Sequence, residues 1–260
     1  MPVLPVVAIL MYHKIGSSVA VKSDTFLNVS TQDFRRQMHL LKRLGYQSRT
    51  FGEVMEAWQQ GRPLPSRTCV LTFDDAYTNV WENAYPVLKE CGMVGTLFVV
   101  SQAIGKANDW DYPHEKSVLP LMDAFCLNTL LSEGWEIAGH TRTHPHLDTL
   151  DDENAFTDIS EGKRELEEQF GIPLKTFCYP YGHLNARTPA LVQQAGYIAA
   201  CTTQTGVATP KHNLFLVPRI KIAYRDRYWG FLYRLVLNHR LPEFRRYRRS
   251  RIKKHAINPQ

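Results

Sequence analysis

The sequence predicts an α/β fold built on about seven mostly parallel strands. Apolar runs of strand length alternate with segments of helical period, and several of the runs end abruptly in polar residues. Strands separated by helices imply right-handed crossovers and a parallel sheet. An open doubly wound sheet and a closed βα barrel both satisfy that pattern, since sites lie at strand ends in either. With 260 residues, 44% of them hydrophobic and 22% charged, the chain has an ordinary globular composition and enough length to bury a core without staples. The 15 glycines and 15 prolines form no repeat, which excludes collagen-like and low-complexity chains.

The elements follow in order. Residues 6–13 are an apolar run ending in polar residues, a buried strand with chemistry at its C-terminal end. Residues 31–44 set Phe34, Met38, Leu41 and Leu44 at helical spacing, with Gly45 as the stop. Thr50 and Glu53 form a capping box for a helix over 51–60. Residues 68–73 read as a strand, 80–91 as a helix closed by Gly92, and 95–100 as a strand. A helix is expected over 120–132 and a short strand over 135–138. Asp151 caps a long helix that runs toward Phe170 and ends at Gly171. Strands at 175–179, 197–202 and 214–220, with a helix at 188–195, complete the series. Residues 101–120 are polar, with Asn108, Asp109, Trp110 and Asp111, and read as a long loop over a site.

Three strand ends carry candidate chemistry. Asp74 and Asp75 follow the run Leu71, Thr72, Phe73, and adjacent strand residues start out on opposite faces. One carboxylate can then serve as a metal ligand and the other as a base; alternatively the pair caps the next helix. His140 and His144 are four apart, which in a helical turn places both imidazoles on one face as a metal clamp. His146 reads as an exposed or packing residue. Taken together, Asp75, His140 and His144 make a three-ligand set that leaves a coordination position open for water, with Asp74 available to take a proton. The third strand end, Tyr179, Pro180, Tyr181 and Gly182, is a rigid turn that could line a substrate groove or direct backbone N–H groups at an oxyanion.

These motifs resemble those of the polysaccharide deacetylases of carbohydrate esterase family four, the nodulation-type deacetylase homology domain. The TFDD of residues 72–75 looks like the family's first motif, the HTRTH of residues 140–144 its second, and the YPYG of residues 179–182 its third. Met11, Tyr12, His13, Lys14 and Ile15 resemble the MYHxI start of a subgroup that includes poly-N-acetylglucosamine deacetylases. The resemblance covers residues 6–222. It implies a distorted βα barrel and a divalent metal, usually Zn2+, with Co2+ or Ni2+ as alternatives. By position it implies Asp75, His140 and His144 as ligands, Asp74 as general base, His13 as general acid, and the Tyr181 backbone N–H as an oxyanion donor. Trp110, Tyr112, Pro180 and Tyr181 are the expected substrate-binding residues.

The sequence departs from the family pattern at two places. Ala76 stands where the family usually has Gly after the aspartates, so the turn must tolerate a Cβ or the site is slightly displaced. Cys178 stands near the position of an Arg that braces the base in many members, and Arg219, in a PRI segment, is the candidate for that missing charge. The implied activity is hydrolysis of N-acetyl groups on an amino sugar of a glycan or lipid-linked saccharide. The alternatives are removal of another acyl group (an O-acetyl ester or N-formyl) or an inactive carbohydrate-binding relative.

The formal net charge of +6 is unevenly spread: residues 217–260 hold 13 Lys+Arg and 2 Asp+Glu, so the remainder is net acidic. Residues 1–222 are expected to form the catalytic domain and 223–260 an aromatic and basic C-terminal extension. In that extension Tyr228, Trp229, Phe231 and Tyr233 precede a run of arginines and lysines. Such a segment suits peripheral contact with an anionic membrane, or else it packs on the barrel as a closing helix. Nucleic acid is not an expected partner, because the body is acidic and no binding motif is present. Residues 1–11 lack a basic n-region and a small-residue cleavage site. Cys69, Cys91, Cys126, Cys178 and Cys201 are odd in number and form no CxxC. The expected location is the cytoplasm, at the inner face of the membrane.

Overall fold

The computed structural model describes residues 6–16, 27–110, 118–224 and 226–240. Its strands are β1 (Ala8–Tyr12), β2 (Lys14–Ile15), β3 (Asn28–Val29), β4 (Gln47–Arg49), β5 (Thr68–Asp74), β6 (Thr96–Val99), β7 (Glu136–Gly139), β8 (Thr176–Cys178), β9 (Ala199–Thr205) and β10 (Val217–Lys221). Its helices are α1 (Thr31–Arg43), α2 (Phe51–Gln59), α3 (Tyr85–Cys91), α4 (Ala124–Ser132), α5 (Asp152–Phe170), α6 (Thr188–Gln194) and α7 (Tyr228–Arg240).

Seven parallel strands close into a barrel. They run β1, β5, β6, β7, β8, β9, β10, and β10 pairs back to β1. The expected distorted βα barrel is the fold. Its distortion is visible at β5. One edge of β5 pairs with β1 along Cys69 to Phe73, while β4 pairs at Thr68 to Val70 and β6 at Thr72 to Asp74. The short β4, which the sequence reading passes over, fills the edge that β6 leaves uncovered.

Strand parity separates two apolar layers. Cys69, Leu71 and Phe73 face the surrounding helices together with Leu10, Leu97, Ile137 and Phe177. Val70 faces the barrel interior with Ile9, Phe98, Ala138, Cys178, Cys201 and Val217. Burial on both faces explains why these strands read as continuous apolar runs rather than alternating ones. The capping box at Thr50 and Glu53 forms as expected and starts α2, whose Phe51, Val54 and Met55 plug the N-terminal end of the interior.

Some boundaries move for local reasons. The helix expected over 120–132 begins only at Ala124, because the Asp123 side chain accepts from Cys126 N and caps it there. The stretch expected as one helix over 80–91 opens with a π turn at Val80–Ala84 before α3. On α7, Phe231 and Leu235 are buried in the outer core, so this part of the aromatic stretch packs on the barrel; Trp229 and Tyr233 are exposed. Residues 241–260, with most of the basic run, lie outside the described residues.

Candidate active site

Asp74 ends β5 and keeps the inward parity of Val70 and Thr72, so its carboxylate is buried in the barrel mouth. Arg219, two residues along β10 from the inward-facing Val217, binds it through two parallel hydrogen bonds: Nη1 donates to Oδ1 at 2.6 Å and Nη2 to Oδ2 at 2.8 Å. The guanidinium also donates from Nη1 to Thr72 Oγ1 at 3.0 Å and from Nε to the Thr202 carbonyl at 3.0 Å. That carbonyl lies where β9 and β10 shift register. Nη2 is also 3.1 Å from Cys178 Sγ, and the Phe98 ring centroid is 5.5 Å from the guanidinium carbon. Such a forked, fully buried arginine can hold a carboxylate in one orientation. Burial pushes the Asp74 carboxyl up, but the Arg219 charge and hydrogen bonds hold it below the usual carboxylate range. His13 Nε2 lies 3.6 Å from Asp74 Oδ2. Burial pulls the imidazole below its usual value, against the opposing charge of Asp74.

Asp75 leaves the strand with φ 71° and turns to the histidines. Its Oδ1 is 3.3 Å from His140 Nε2 and 3.3 Å from His144 Nε2. His140 Nδ1 lies 2.7 Å from the Cys178 carbonyl. A carbonyl only accepts, so Nδ1 carries a proton and Nε2 is the nitrogen turned to Asp75. Burial pulls the imidazole down, but the contacts with Cys178 and Asp75 hold it well above its usual value. Asp75 Oδ1 finds no hydrogen-bond donor among the described residues although it is buried. Two imidazole nitrogens converging on one buried carboxylate oxygen form a pocket whose negative side a proton or a metal cation neutralises, and the donor set suits a metal. Asp75, His140 and His144 are thus able to hold a metal ion. Neither aspartate caps the next helix: the turn at Val80 has Asn79 before it and no side-chain cap.

The clamp is not helical, contrary to the spacing argument. Residues 140–144 are irregular, and Thr141 and His144 have φ 68° and 63°. The loop takes this path because α5 grips it. Asp158 Oδ1 accepts from Arg142 N at 2.8 Å and Thr143 N at 3.2 Å, and its Oδ2 accepts from Thr143 Oγ1 at 2.7 Å. The loop lies directly on Gly162, where a Cβ would stand 2.7 Å from both Arg142 N and the Thr141 carbonyl carbon. Sequence reasoning missed Asp158 and Gly162. A glycine in the middle of a long helix was the available signal, since it weakens the helix unless something must come close.

The third motif completes the mouth. Tyr181 has φ 58°, and Gly182 follows at φ 75° where a Cβ would meet Thr203 Oγ1 at 1.9 Å. The Tyr181 ring meets His144 edge-on at 4.6 Å and lies parallel to His146 at 4.1 Å. Trp110 stacks on His144 at 4.5 Å, so Trp110 and Tyr181 both pack against that histidine. Pro180 is buried beneath the turn, and Tyr112 lies outside the described residues. Ala76 adopts φ 56°: the turn takes the left-handed region and accommodates the Cβ rather than avoiding that conformation. Asp75, Ala76, Thr141, His144 and Tyr181 thus gather strained backbone at one end of the barrel.

A closed βα barrel whose C-terminal mouth joins a cation-ready Asp–His–His set to a second, arginine-held carboxylate belongs to the class of metal-dependent hydrolases. Residues 61–200 match the polysaccharide deacetylase family, and the chain belongs to that family. By that family it is a hydrolase, a polysaccharide deacetylase. Among its relatives, YxkH of Bacillus subtilis, which carries a polysaccharide deacetylase name, is 29% identical over 216 residues, covering 83% of this chain and 71% of the relative. The poly-beta-1,6-N-acetyl-D-glucosamine N-deacetylase of Staphylococcus aureus is 25% identical over 205 residues, covering 75% of this chain and 68% of the relative. The Streptococcus pyogenes deacetylase PplD, solved with acetate, shares the fold with a TM-score of 0.77 at 23% identity, over 88% of this chain and 98% of that one. IcaB from Ammonifex degensii does so with 0.74 at 20% identity, over 88% and 95%.

Proposed function

We propose that the chain removes N-acetyl groups from a poly-N-acetylglucosamine-type glycan or its lipid-linked form, with zinc as the metal. One observation carries the reading: buried Asp75 Oδ1 faces two imidazole Nε2 atoms at 3.3 Å beside an independently braced carboxylate, Asp74. The named activity of the Staphylococcus aureus relative supports the choice of sugar. A divalent ion on Asp75, His140 and His144 would acidify a water and polarise the acyl carbonyl. Asp74, kept ionised by Arg219, takes the proton of the attacking water. The Tyr181 backbone N–H donates to the oxyanion as the acyl carbon becomes tetrahedral. His13, 3.6 Å from Asp74 and with its imidazole pulled down by burial, takes up the proton that Asp74 drew from the water and gives it to the departing amine, which does not leave as an anion. Trp110, which packs on His144 and is half-buried, is the aromatic available to stack on a sugar face.

The test is acetate release from N-acetylated oligosaccharides and lipid-linked sugars, with zinc content measured on the same protein. Asp74→Asn should keep zinc and lose about 10²–10⁴ in turnover. His140→Ala should lose zinc and turnover together. Near-normal turnover in Asp74→Asn, or full zinc in a His140→Ala/His144→Ala double variant, would remove the assignment.

The proposal also has a location: a cytoplasmic enzyme held at an anionic membrane face. Supporting it, Trp229 and Tyr233, 76% and 66% exposed, stand four apart on α7 while Phe231 and Leu235 fasten that helix to the barrel. Exposed aromatics beside cationic residues suit a headgroup layer. Among the described residues no helix is long and apolar enough to cross a membrane. Salt-sensitive sedimentation with phosphatidylglycerol vesicles is expected, and equal binding to neutral vesicles would defeat it.

A further inference from the structure

Outside the catalytic set, one more cluster of ligating side chains converges on a point. His146 Nδ1 and His183 Nδ1 are 2.8 Å apart, and Asp148 Oδ1 lies 3.6 Å from His183 Nδ1. All three atoms fall within 4.8 Å of one another. We propose that His146, Asp148 and His183 form a second, exposed divalent-cation site at the rim of the active-site mouth, selective for zinc-like ions.

The donor set and its spacing support this. Zn–N and Zn–O bonds of ~2.0–2.1 Å at tetrahedral angles put donor atoms about 3.3 Å apart, between the two separations found. Two imidazoles and one carboxylate are borderline donors that favour zinc, nickel or copper over magnesium or calcium. The imidazoles meet through the same type of nitrogen. Without a cation only one Nδ1 can donate, and the other must accept; a shared ion takes the lone pairs of both. Both histidines and Asp148 are exposed, so the carboxylate is free to rotate inward and three ligands leave room for water. This site repeats the two-histidine, one-aspartate donor set of the catalytic one but differs in burial and in the imidazole nitrogens that meet.

The position gives the ion a consequence. His146 belongs to the segment that follows the catalytic His144, and His183 directly follows the Pro180–Gly182 turn. The Tyr181 ring lies between the two motifs, parallel to His146 at 4.1 Å and tilted against His183 at 5.9 Å. A cation bridging His146 and His183 therefore fastens the oxyanion turn to the histidine loop.

The test is a zinc titration of the full chain, stripped of metal, by equilibrium dialysis, with the fold of each variant checked by circular dichroism. Wild type should bind two ions, the second at least about tenfold more weakly because its ligands are exposed. His183→Ala should bind one ion with unchanged tight affinity, and Asp148→Asn should weaken only the second event. His140→Ala should keep the weak event and lose the tight one, which separates failure of this site from failure of the catalytic one. One ion per wild-type chain at saturating zinc, or two in folded His183→Ala, would overturn the proposal and leave the histidines as a hydrogen-bonded pair.

Discussion

Both ends of the barrel hold a carboxylate inside the strand ring, Asp74 buried and Glu136 half-buried, and the two are treated in opposite ways. At the C-terminal mouth Asp74 is gripped by a buried guanidinium, and its carboxyl lies below the usual range. At the N-terminal end Glu136, the first residue of β7, is held by neutral donors only. Its Oε2 accepts from Gly52 N at 2.8 Å and Thr96 Oγ1 at 2.9 Å, and its Oε1 accepts from Thr176 Oγ1 at 2.6 Å. Burial outweighs those bonds and pushes the Glu136 carboxyl up. A full positive charge, rather than the number of hydrogen bonds, sets the direction in which such a carboxyl is shifted. The mouth end also holds five of the six described non-glycine residues in the left-handed region, all but Arg67, whereas the N-terminal end is closed by a regular helix start with an intact capping box. One end is arranged for chemistry and the other for closure.

The comparison breaks first, and hardest, at Arg219. Arg219→Met removes the only full charge bonded to Asp74 among its described hydrogen bonds and leaves a buried carboxylate uncompensated. Breaking such a pair from one side costs about 3–5 kcal/mol. Chemical denaturation should register that loss, and turnover should fall far more than zinc content, since none of the three ligands is touched. A stable variant with normal turnover would mean that Arg219 is structural padding.

Gly162→Ala comes next. Alanine improves a helix interior by about 1 kcal/mol. Here its Cβ would stand 2.7 Å from backbone atoms of Arg142 and Thr141, which cannot swing aside as a side chain can. The loop between the two histidines must shift, and zinc affinity should fall about 10–100-fold, the usual effect of disturbing a ligand's support. Unchanged affinity by competition with a chelator would show that the loop is not held by α5. Ala76→Gly should act in the other direction and more weakly. It relieves a left-handed alanine, φ 56°, and should add about 1 kcal/mol without loss of zinc.

What was legible in the sequence divides along the same line. The strand runs and helix caps were readable because burial on both faces and capping side chains leave local marks: Thr68–Asp74 is uncharged and mostly apolar until its last residue, and Thr50 with Glu53 caps as written. Asp74, Asp75 and His140 were readable because they end a strand or directly follow one, and His144 because of its spacing from His140. The irregular path of residues 140–144 was not, because it is set by Asp158 and Gly162 on a helix that the chain reaches only later. Arg219 stands 145 residues from Asp74, and only barrel closure through β10 and β1 brings the two together. Glu136 left no mark at all: a glutamate at the start of a strand looks like a surface residue until Thr96, Thr176 and Gly52 converge on it.

The smallest effect sharpens the comparison most. Glu136→Gln keeps the shape of the side chain. Its carbonyl oxygen can accept from Gly52 N and Thr96, and its amide can donate to Thr176 Oγ1 once that hydroxyl turns. The exchange should change stability by no more than about 1 kcal/mol and leave turnover and zinc content as they were. The difference should depend on pH with a definite sign. A carboxyl raised in the folded state favours folding most when it is protonated, below the pH at which the unfolded chain ionises. That contribution is lost as pH rises through the raised folded value. Wild type should therefore lose stability relative to Glu136→Gln on going from acid toward neutral pH, and the gap should level off once Glu136 is ionised. Asp74 cannot give this signature, because its carboxyl is shifted the other way. Denaturation curves of the two proteins across the weakly acidic range would decide the matter. A gap of opposite sign, with the glutamate favoured as pH rises, would mean that a positive charge reaches Glu136 after all, and Lys175 would be the first group to replace.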